Sequence, residues 1–304
     1  MSYKLEVAFG PANELLNSLH TYLCKKFYKK TDLGSTWAGQ TRLKLSKPFA
    51  SALAETEISA EWKLMYLFLY LCPHKESAER FLTWFERMTA GDMYELLAPY
   101  MSSFPGELGA IRDRWLHLLS EWNRQYFAGT DPKLLEWLSE DAASRRARIG
   151  TLPPDALAEQ ITNGLYFEPG AECEKLVLSP QYHFQPANII YTFGGLTVCQ
   201  YAVDGSYDDP ADEPSRRLYR QLRSLSEKSR LRILRYLNAG PRSFTEIVRY
   251  IGISKGITHD HIFNLRSAGL LRAHMSGESA VAYSLRKEAF GGLQDSLLGY
   301  LLTD

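Results

Sequence analysis

The feature that most constrains this chain is the run from Ser243 to Arg286, "SFTEIVRYIGISKGITHDHIFNLRSAGLLRAHMSGESAVAYSLR". Ser243 with Glu246 three residues on is a capping box that starts a helix, and Ile247, Val248 and Ile251 give that helix an apolar side before Gly252 stops it. Ser254 caps a further helix after only a few residues, the spacing of a helix-turn-helix. Beyond Gly269, alternation at Val281, Tyr283 and Leu285 around the turn Ser276–Ser279 predicts a β-hairpin. Just upstream, "SEKSRLRILRYLNAG" predicts another helix, with Ser226 as N-cap and Ile233, Leu234 and Leu237 as its stripe, ended by Gly240 and Pro241. Three short helices followed by a two-stranded ribbon make a winged helix.

Charge separates this module from the rest of the chain. Residues 215–304 hold 15 Lys and Arg against 7 Asp and Glu, a net of +8, so the formal net charge of zero leaves −8 on residues 1–214. Only the C-terminal part is therefore suited to a polyanion. Between them, "VDGSYDDPADEPS" (203–215) carries acids, two prolines and no apolar periodicity, and reads as a linker. The organisation expected is an N-terminal domain over 1–203, an acidic linker over 204–214 and a winged helix-turn-helix domain over 215–304.

The N-terminal domain reads as helical over 11–147. In "GELGAIRDRWLHLLSEWNRQYF", Ile111, Trp115, Leu118, Leu119 and Trp122 fall on one face of a helix, which is a core stripe. Similar patterns occupy "ANELLNSLHTYLCKKFYKK", "EWKLMYLFLYLC", "KESAERFLTWFERM" and "PKLLEWLSEDAASRRARI". After "TLPPDAL" the segments "ITNGLYFEP", "KLVLSPQYHFQP", "NIIYTFG" and "LTVCQYAV" are short and rich in β-branched and aromatic residues, with Pro or Gly at their ends, and read as strands. The fold class expected is mainly α with a small β part: a helical N-terminal domain with a short-stranded β region, followed by the winged helix-turn-helix domain.

The C-terminal pattern resembles the ArsR-type winged-helix transcriptional regulators. The residues that carry the resemblance are Arg230, Ile233, Leu234, Ser254, His261, Ile262, Leu265, Ala268, Gly269, Leu270, Gly277, Tyr283 and Leu285, in order over about 75 residues. "EVAFGPANELLNSLHTYL" and "NGLYFEPGAECEKLVLSP" resemble the long partner domain of some larger members. The resemblance implies a transcriptional regulator that binds double-stranded DNA.

Where that family contacts DNA, this chain departs from it at three positions. Gly256 stands where Ser or Thr is common, Asp260 where a basic residue is common, and Glu278 where the wing usually has Arg. Each missing cation weakens phosphate binding. Against these stand Arg242, Arg249, Lys255, Arg266, Arg272 and His274 on or beside the helix-turn-helix and wing. With Thr258, Ile262 and Leu265 facing inward, Lys255, Gly256, His259, Asp260 and Phe263 face outward, and Asp260 is placed to accept from cytosine N4 in the major groove. The DNA-binding set expected is Arg242, Arg249, Ser254, Lys255, Gly256, His259, Asp260, Arg266, Arg272 and His274. The competing reading is a winged helix used only for dimerisation or protein contact. His261 reads as a structural hydrogen-bonding residue rather than a base reader, and Arg230 as a structural ion-pair partner as readily as a phosphate ligand.

Two apolar stripes lie outside the three-helix core. "RRLYRQLRSL" aligns Leu218, Leu222 and Leu225, and "KEAFGGLQDSLLGYLL" aligns Phe290, Leu293, Leu297, Leu298 and Leu301. Pairing with the same helices of a second chain would cover them and space two recognition helices about one DNA turn apart, so a homodimer is expected. The alternative is cover by the chain's own N-terminal domain.

No catalytic, cofactor or metal motif stands out, and no enzyme is expected. There is no P-loop, GxSxG elbow or GxGxxG. His259 and His261 are two apart on a helix and point to different sides. Cys24, Cys72, Cys173 and Cys199 have no ligand spacing and read as buried thiols. All six tryptophans lie between Trp37 and Trp137, which suits either a packed core or an apolar pocket for a small-molecule effector. The longest apolar run, Leu64–Cys72, is far short of the ~20 residues of a membrane span, and the N-terminus lacks a signal-peptide pattern, so a cytoplasmic place is expected.

Overall fold

A computed structural model of the chain describes residues 3–170, 173–203, 205, 207 and 212–302. The fold is mainly helical with two small sheets, in two compact units that differ from the linear domains of the sequence. One unit comprises Lys4–Arg148 and Ala171–Val203. The other comprises Met1–Tyr3, Ile149–Gly170 and Asp204–Asp304. Residues 149–170, expected in the N-terminal domain, thus group with the C-terminal module. Much of the acidic stretch 204–214 lies outside the described residues.

The first unit runs β1 (Lys4–Val7), α1 (Pro11–Leu23), α2 (Gly34–Lys44), α3 (Lys47–Glu55), α4 (Lys63–Leu71), α5 (Ala78–Arg87), α6 (Ala90–Leu97), α7 (Leu108–Gln125) and α8 (Pro132–Ala147). The helices α2, α3 and α6 and the strand β1 were not expected. The chain later returns to this unit for β3 (Lys175–Gln181), β4 (Ile189–Phe193) and β5 (Leu196–Ala202), which complete a sheet of order β1-β3-β5-β4. β1, β3 and β5 are mutually parallel neighbours and β4 is antiparallel to β5.

From Ala12 to Leu23 every residue of α1 is buried, although Asn13, Glu14, Asn17, Ser18, His20 and Thr21 are polar. Their burial is tolerable because they find partners. Glu14 Oε1 accepts from the amides of Tyr182 and His183 at 3.1 and 3.0 Å and meets His183 Nδ1 at 2.5 Å. Trp122 Nε1 donates to Ser18 Oγ, and Trp62 Nε1 donates to His20 Nδ1 at 2.7 Å. The tryptophans pack into the core: the rings of Trp62 and Trp115 meet edge to face at 4.4 Å, and Trp122 lies against Tyr22 and Tyr126.

The second unit begins with α9 (Pro154–Ile161) and β2 (Leu165–Phe167), and Tyr3 hydroxyl donates to the Pro154 carbonyl. It continues with α10 (Arg216–Leu225), α11 (Lys228–Leu237), α12 (Phe244–Ile251), α13 (Lys255–Ser267), β6 (Leu271–Ser276), β7 (Ser279–Leu285) and α14 (Glu288–Leu302). Its core is Ile233, Leu234, Leu237, Ile247, Ile251, Ile262, Leu265 and Leu270 with their neighbours. The hairpin β6–β7 turns at Gly277, at φ +56°, where left-handed backbone favours glycine. The sheet has a third strand: β2 pairs in parallel with β6, Leu165 opposite Ala273 and Phe167 opposite Met275. "ITNGLYFEP" is therefore a strand, but of the wing rather than of the N-terminal β region.

Candidate nucleic-acid interface

The helix-turn-helix is built by local chemistry. Ser243 accepts from the Glu246 amide while Glu246 Oε2 accepts from the Ser243 amide at 2.9 Å, closing the capping box that starts α12. Gly252 ends α12 in the left-handed region at φ +74°. Ser254 then accepts from the Ile257 amide and caps α13. On α11 the cap is Glu227, which accepts from the Arg230 amide at 2.8 Å, while Ser226 ends α10 instead. The Ser226 hydroxyl is engaged instead, donating to the Arg223 carbonyl at 2.8 Å at the end of α10, which leaves the first-turn amides of α11 to the carboxylate.

α13 buries Thr258, Ile262 and Leu265 and exposes Lys255, Gly256, His259 and Asp260. The face expected to read bases is therefore presented by the N-terminal half of one helix. Phe263, placed outward by the sequence pattern, is half-buried, and Ile257 is exposed. A Cβ on Gly256 would meet nothing within 4 Å, so the missing hydroxyl there leaves open surface rather than filling a crowded site. Asn264 Nδ2 donates to the Asp260 carbonyl at 2.7 Å, which steadies the middle of the helix. His261 faces the other way, with Nε2 at 3.6 Å from Glu227, and Arg230 donates to the Arg223 carbonyl; both are ties within the module. His259 instead lies at the edge of the Phe244 ring.

The remaining cations are distributed unevenly. Arg249 is exposed on α12, and Arg266 is half-buried on α13. Arg242 sits over the Tyr236 ring at 5.2 Å, pairs loosely with Glu246 at 3.8 Å and bridges to Tyr283 of the wing through its backbone. Tyr236 in turn stacks flat on Tyr250 at 4.0 Å.

Two expected contacts are held inside the module. Arg272 gives Nε and a terminal nitrogen to Glu159 Oε2 at 3.0 and 2.7 Å. His274 shares a hydrogen with Ser284 Oγ at 2.9 Å and lies edge-on to Tyr166. Burial, and then the neighbouring Arg272, hold the His274 pKa below the usual histidine range, which keeps its ring neutral. A neutral, hydrogen-bonded imidazole and a guanidinium already paired with a carboxylate offer little to a phosphate. Both lie on β6 of the wing; Glu159, a residue outside the set expected from the sequence, occupies Arg272, whereas Ser284 and Tyr166 hold His274.

Residues 227–273 match the family model of the bacterial regulatory protein, arsR family. That segment carries an arsR-type helix-turn-helix, from the start of α11 to the middle of β6. No curated protein and no solved structure matches the chain. The arsR-type segment supports a DNA-binding regulator in general. It contains Arg249, Lys255, His259 and Arg266 but ends before the wing tip, and no helix among the described residues is long and apolar enough to cross a membrane.

The predicted dimer residues are divided. Leu218 is buried in its own unit, and Leu225 and Phe290 pack on the core beside it. They close the module rather than project from it, because α10 and α14 pack against each other within one chain. Leu293 and Leu297 are half-buried, whereas Leu222, Leu298, Tyr300, Leu301 and Leu302 remain exposed.

Proposed function

We propose that the protein is a homodimeric transcriptional regulator that reads a two-fold operator in double-stranded DNA, with α13 as its recognition helix. The observation that carries this reading is the exposed set Ser254, Lys255, Gly256, His259 and Asp260 on the N-terminal half of a helix that lies inside the arsR-type match. In helix-turn-helix proteins that half of the second helix contacts base edges. The net charge of +8 on residues 215–304 supplies the attraction to phosphate. The exposed leucines of α10 and α14 support pairing of two chains. On this reading the helical unit is an effector or oligomerisation module, the protein is not an enzyme, and it acts in the cytoplasm, where its DNA is.

A second reading, a winged helix that contacts protein instead of DNA, is favoured by the ties on Arg272 and His274 and by Asp260 on the reading face. Titration of the full chain against its own promoter region and random DNA, at several salt concentrations, separates the two. A regulator binds the promoter more tightly than random DNA and retains that preference as salt rises. Equal affinity for both sequences leaves only non-specific attraction, and no binding to either favours the protein-contact reading.

A further inference from the structure

The segment 154–167 is joined to the recognition helix more closely than its place in the chain suggests. Glu159 is nearly buried, and its two oxygens divide between two guanidinium groups: Oε2 takes Arg272 of β6, and Oε1 takes Arg286 Nε at 2.9 Å. Arg286, also buried, continues to Asn163 Oδ1 at 2.7 Å and to the Gly269 carbonyl at 3.3 Å. Gly269 and Ala268 form the turn that ends α13. A Cβ on Gly269, which sits at φ +71°, would stand 2.2 Å from Asn163 Oδ1, so the Asn163 side chain lies directly on that turn. One residue further, Gly164 adopts φ +111° and approaches the Leu271 carbonyl so closely that a Cβ would stand 2.4 Å from it. The Ala273 amide then donates to the Gly164 carbonyl at 2.8 Å, and β2 continues along β6.

The contacts thus converge on one place, the junction between the recognition helix and the wing. A helix held only by its own apolar face can slide and rotate on its neighbours, whereas a carboxylate shared by two arginines fixes a distance and an orientation. We infer that α9 and β2 are a working part of the DNA-reading module, and that Glu159 and Asn163 are positioning residues that set the C-terminal end of α13 and the root of the wing. This inference rests on the operator reading above and extends it. It also gives the wing a different role, since its cations face Glu159 and its tip carries Glu278. The wing is a brace for α13 rather than a second set of phosphate ligands. Because residue 148 on one side and residue 171 on the other belong to the helical unit, the brace is continuous with that unit along the chain at both ends.

The test uses the full chain with Glu159→Gln, which keeps shape and removes charge. A second variant, Asn163→Gly, removes the side chain while accepting the backbone at φ +56° without strain. Both are compared with the wild type at a temperature where all three are folded by circular dichroism. The first measurement, without DNA, is hydrogen exchange of the Ala273 amide, which donates directly into the clamp. The second is the ratio of promoter to random-DNA affinity, with its salt dependence. The clamp predicts at least ~10-fold faster exchange at Ala273 in either variant. It also predicts a loss of at least ~10-fold in the affinity ratio, with an unchanged salt slope, because no phosphate contact is removed. Unchanged exchange, or faster exchange with an intact affinity ratio, overturns the positioning role. So does tighter binding to all DNA with a steeper salt slope in Glu159→Gln, which would make Glu159 a mask over Arg272. If the wild type itself prefers no DNA sequence, the operator reading fails, while the Ala273 amide still decides whether the clamp exists.

Discussion

Arg286 Nε donates to Glu159 Oε1 at 2.9 Å across 127 positions of the chain, with both side chains nearly buried. Breaking a buried pair by removing one partner costs about 3–5 kcal/mol, because the other charge is left without solvent or counter-ion. A fragment limited to residues 215–304 lacks Glu159, Asn163 and β2 while retaining Arg272, Arg286 and an unpaired edge of β6. That fragment is expected to be less stable by at least that amount than the same module in the full chain. Urea unfolding followed by circular dichroism measures it, and a fragment as stable as the full-chain module would show that the clamp contributes nothing.

Gly164 offers a sharper test of the same junction. Its φ of +111° and the 2.4 Å that would separate an added Cβ from the Leu271 carbonyl mean that alanine there is strained in backbone and contact alike. Gly164→Ala is expected to destabilise the protein by about 1–3 kcal/mol. Gly256→Ala, whose added methyl meets nothing, is the control and should cost less than about 0.5 kcal/mol. Equal melting temperatures for the two variants would contradict the assigned backbone.

The winged helix was legible because its signals are local. Ser243 and Glu246, Gly252, Ser254 and the alternation around Gly277 each specify structure within a few residues, and each does so here. The clamp was not legible, because it consists of one carboxylate and one Asn-Gly pair far from their partners. Asn163-Gly164 does announce left-handed backbone, and it was visible only as the edge of a strand. The direction in which that strand pairs depends on Ala273 and Met275, and no periodicity encodes such a partner. For the same reason the outward face of α13 could be read from Thr258, Ile262 and Leu265, whereas the ties on Arg272 and His274 could not. The helices α2, α3 and α6 escaped because α2 has no apolar face and the other two are short.

On the proposed interface, Lys255→Ala and His259→Ala are each expected to lower operator affinity, by about 1–3 kcal/mol where the side chain reads a base. Asp260→Arg is expected to tighten binding to all DNA and to narrow the difference between operator and random sequence. Fluorescence anisotropy with both DNAs measures these effects. If Asp260→Arg changes neither quantity, α13 does not enter the groove.

Acid sensitivity of the helical unit is expected to come in part from His20. Burial lowers its pKa to about 3, from an ordinary value of 6.5, and its Nδ1 accepts from Trp62, which requires a neutral ring with the hydrogen on Nε2. Because the folded-state pKa is depressed, the stabilisation is complete above pH 6.5. It is lost as pH falls from there toward 3, at up to about 1.4 kcal/mol per pH unit while only the unfolded chain takes the proton. His20→Gln keeps an acceptor for Trp62 without a titrating ring. Its stability at neutral pH is expected to be lower, and its decline between pH 6.5 and 4 shallower, in urea unfolding. A decline as steep as that of the wild type would assign the acid sensitivity to other groups.

The assembly of two chains is the last expectation, and the structure narrows where it is to be sought. Leu218 is buried within its own unit, and Leu225 and Phe290 pack on its core, so changing them would unfold the module before it tested an interface. Leu222, Leu298, Leu301 and Leu302 are 37, 45, 62 and 77% exposed, and they lie on α10 and α14, which pack together. Uncovered leucines grouped on two adjacent helices are unusual on a lone soluble module, and a self-complementary contact is the symmetric way to cover them. Leu222→Asp with Leu301→Asp should therefore leave the fold intact, convert a dimer to a monomer in sedimentation equilibrium, and weaken operator binding by the loss of one half-site. A wild-type chain that is monomeric at micromolar concentration would remove the dimer and the two-fold operator together, and α13 would then read a single half-site.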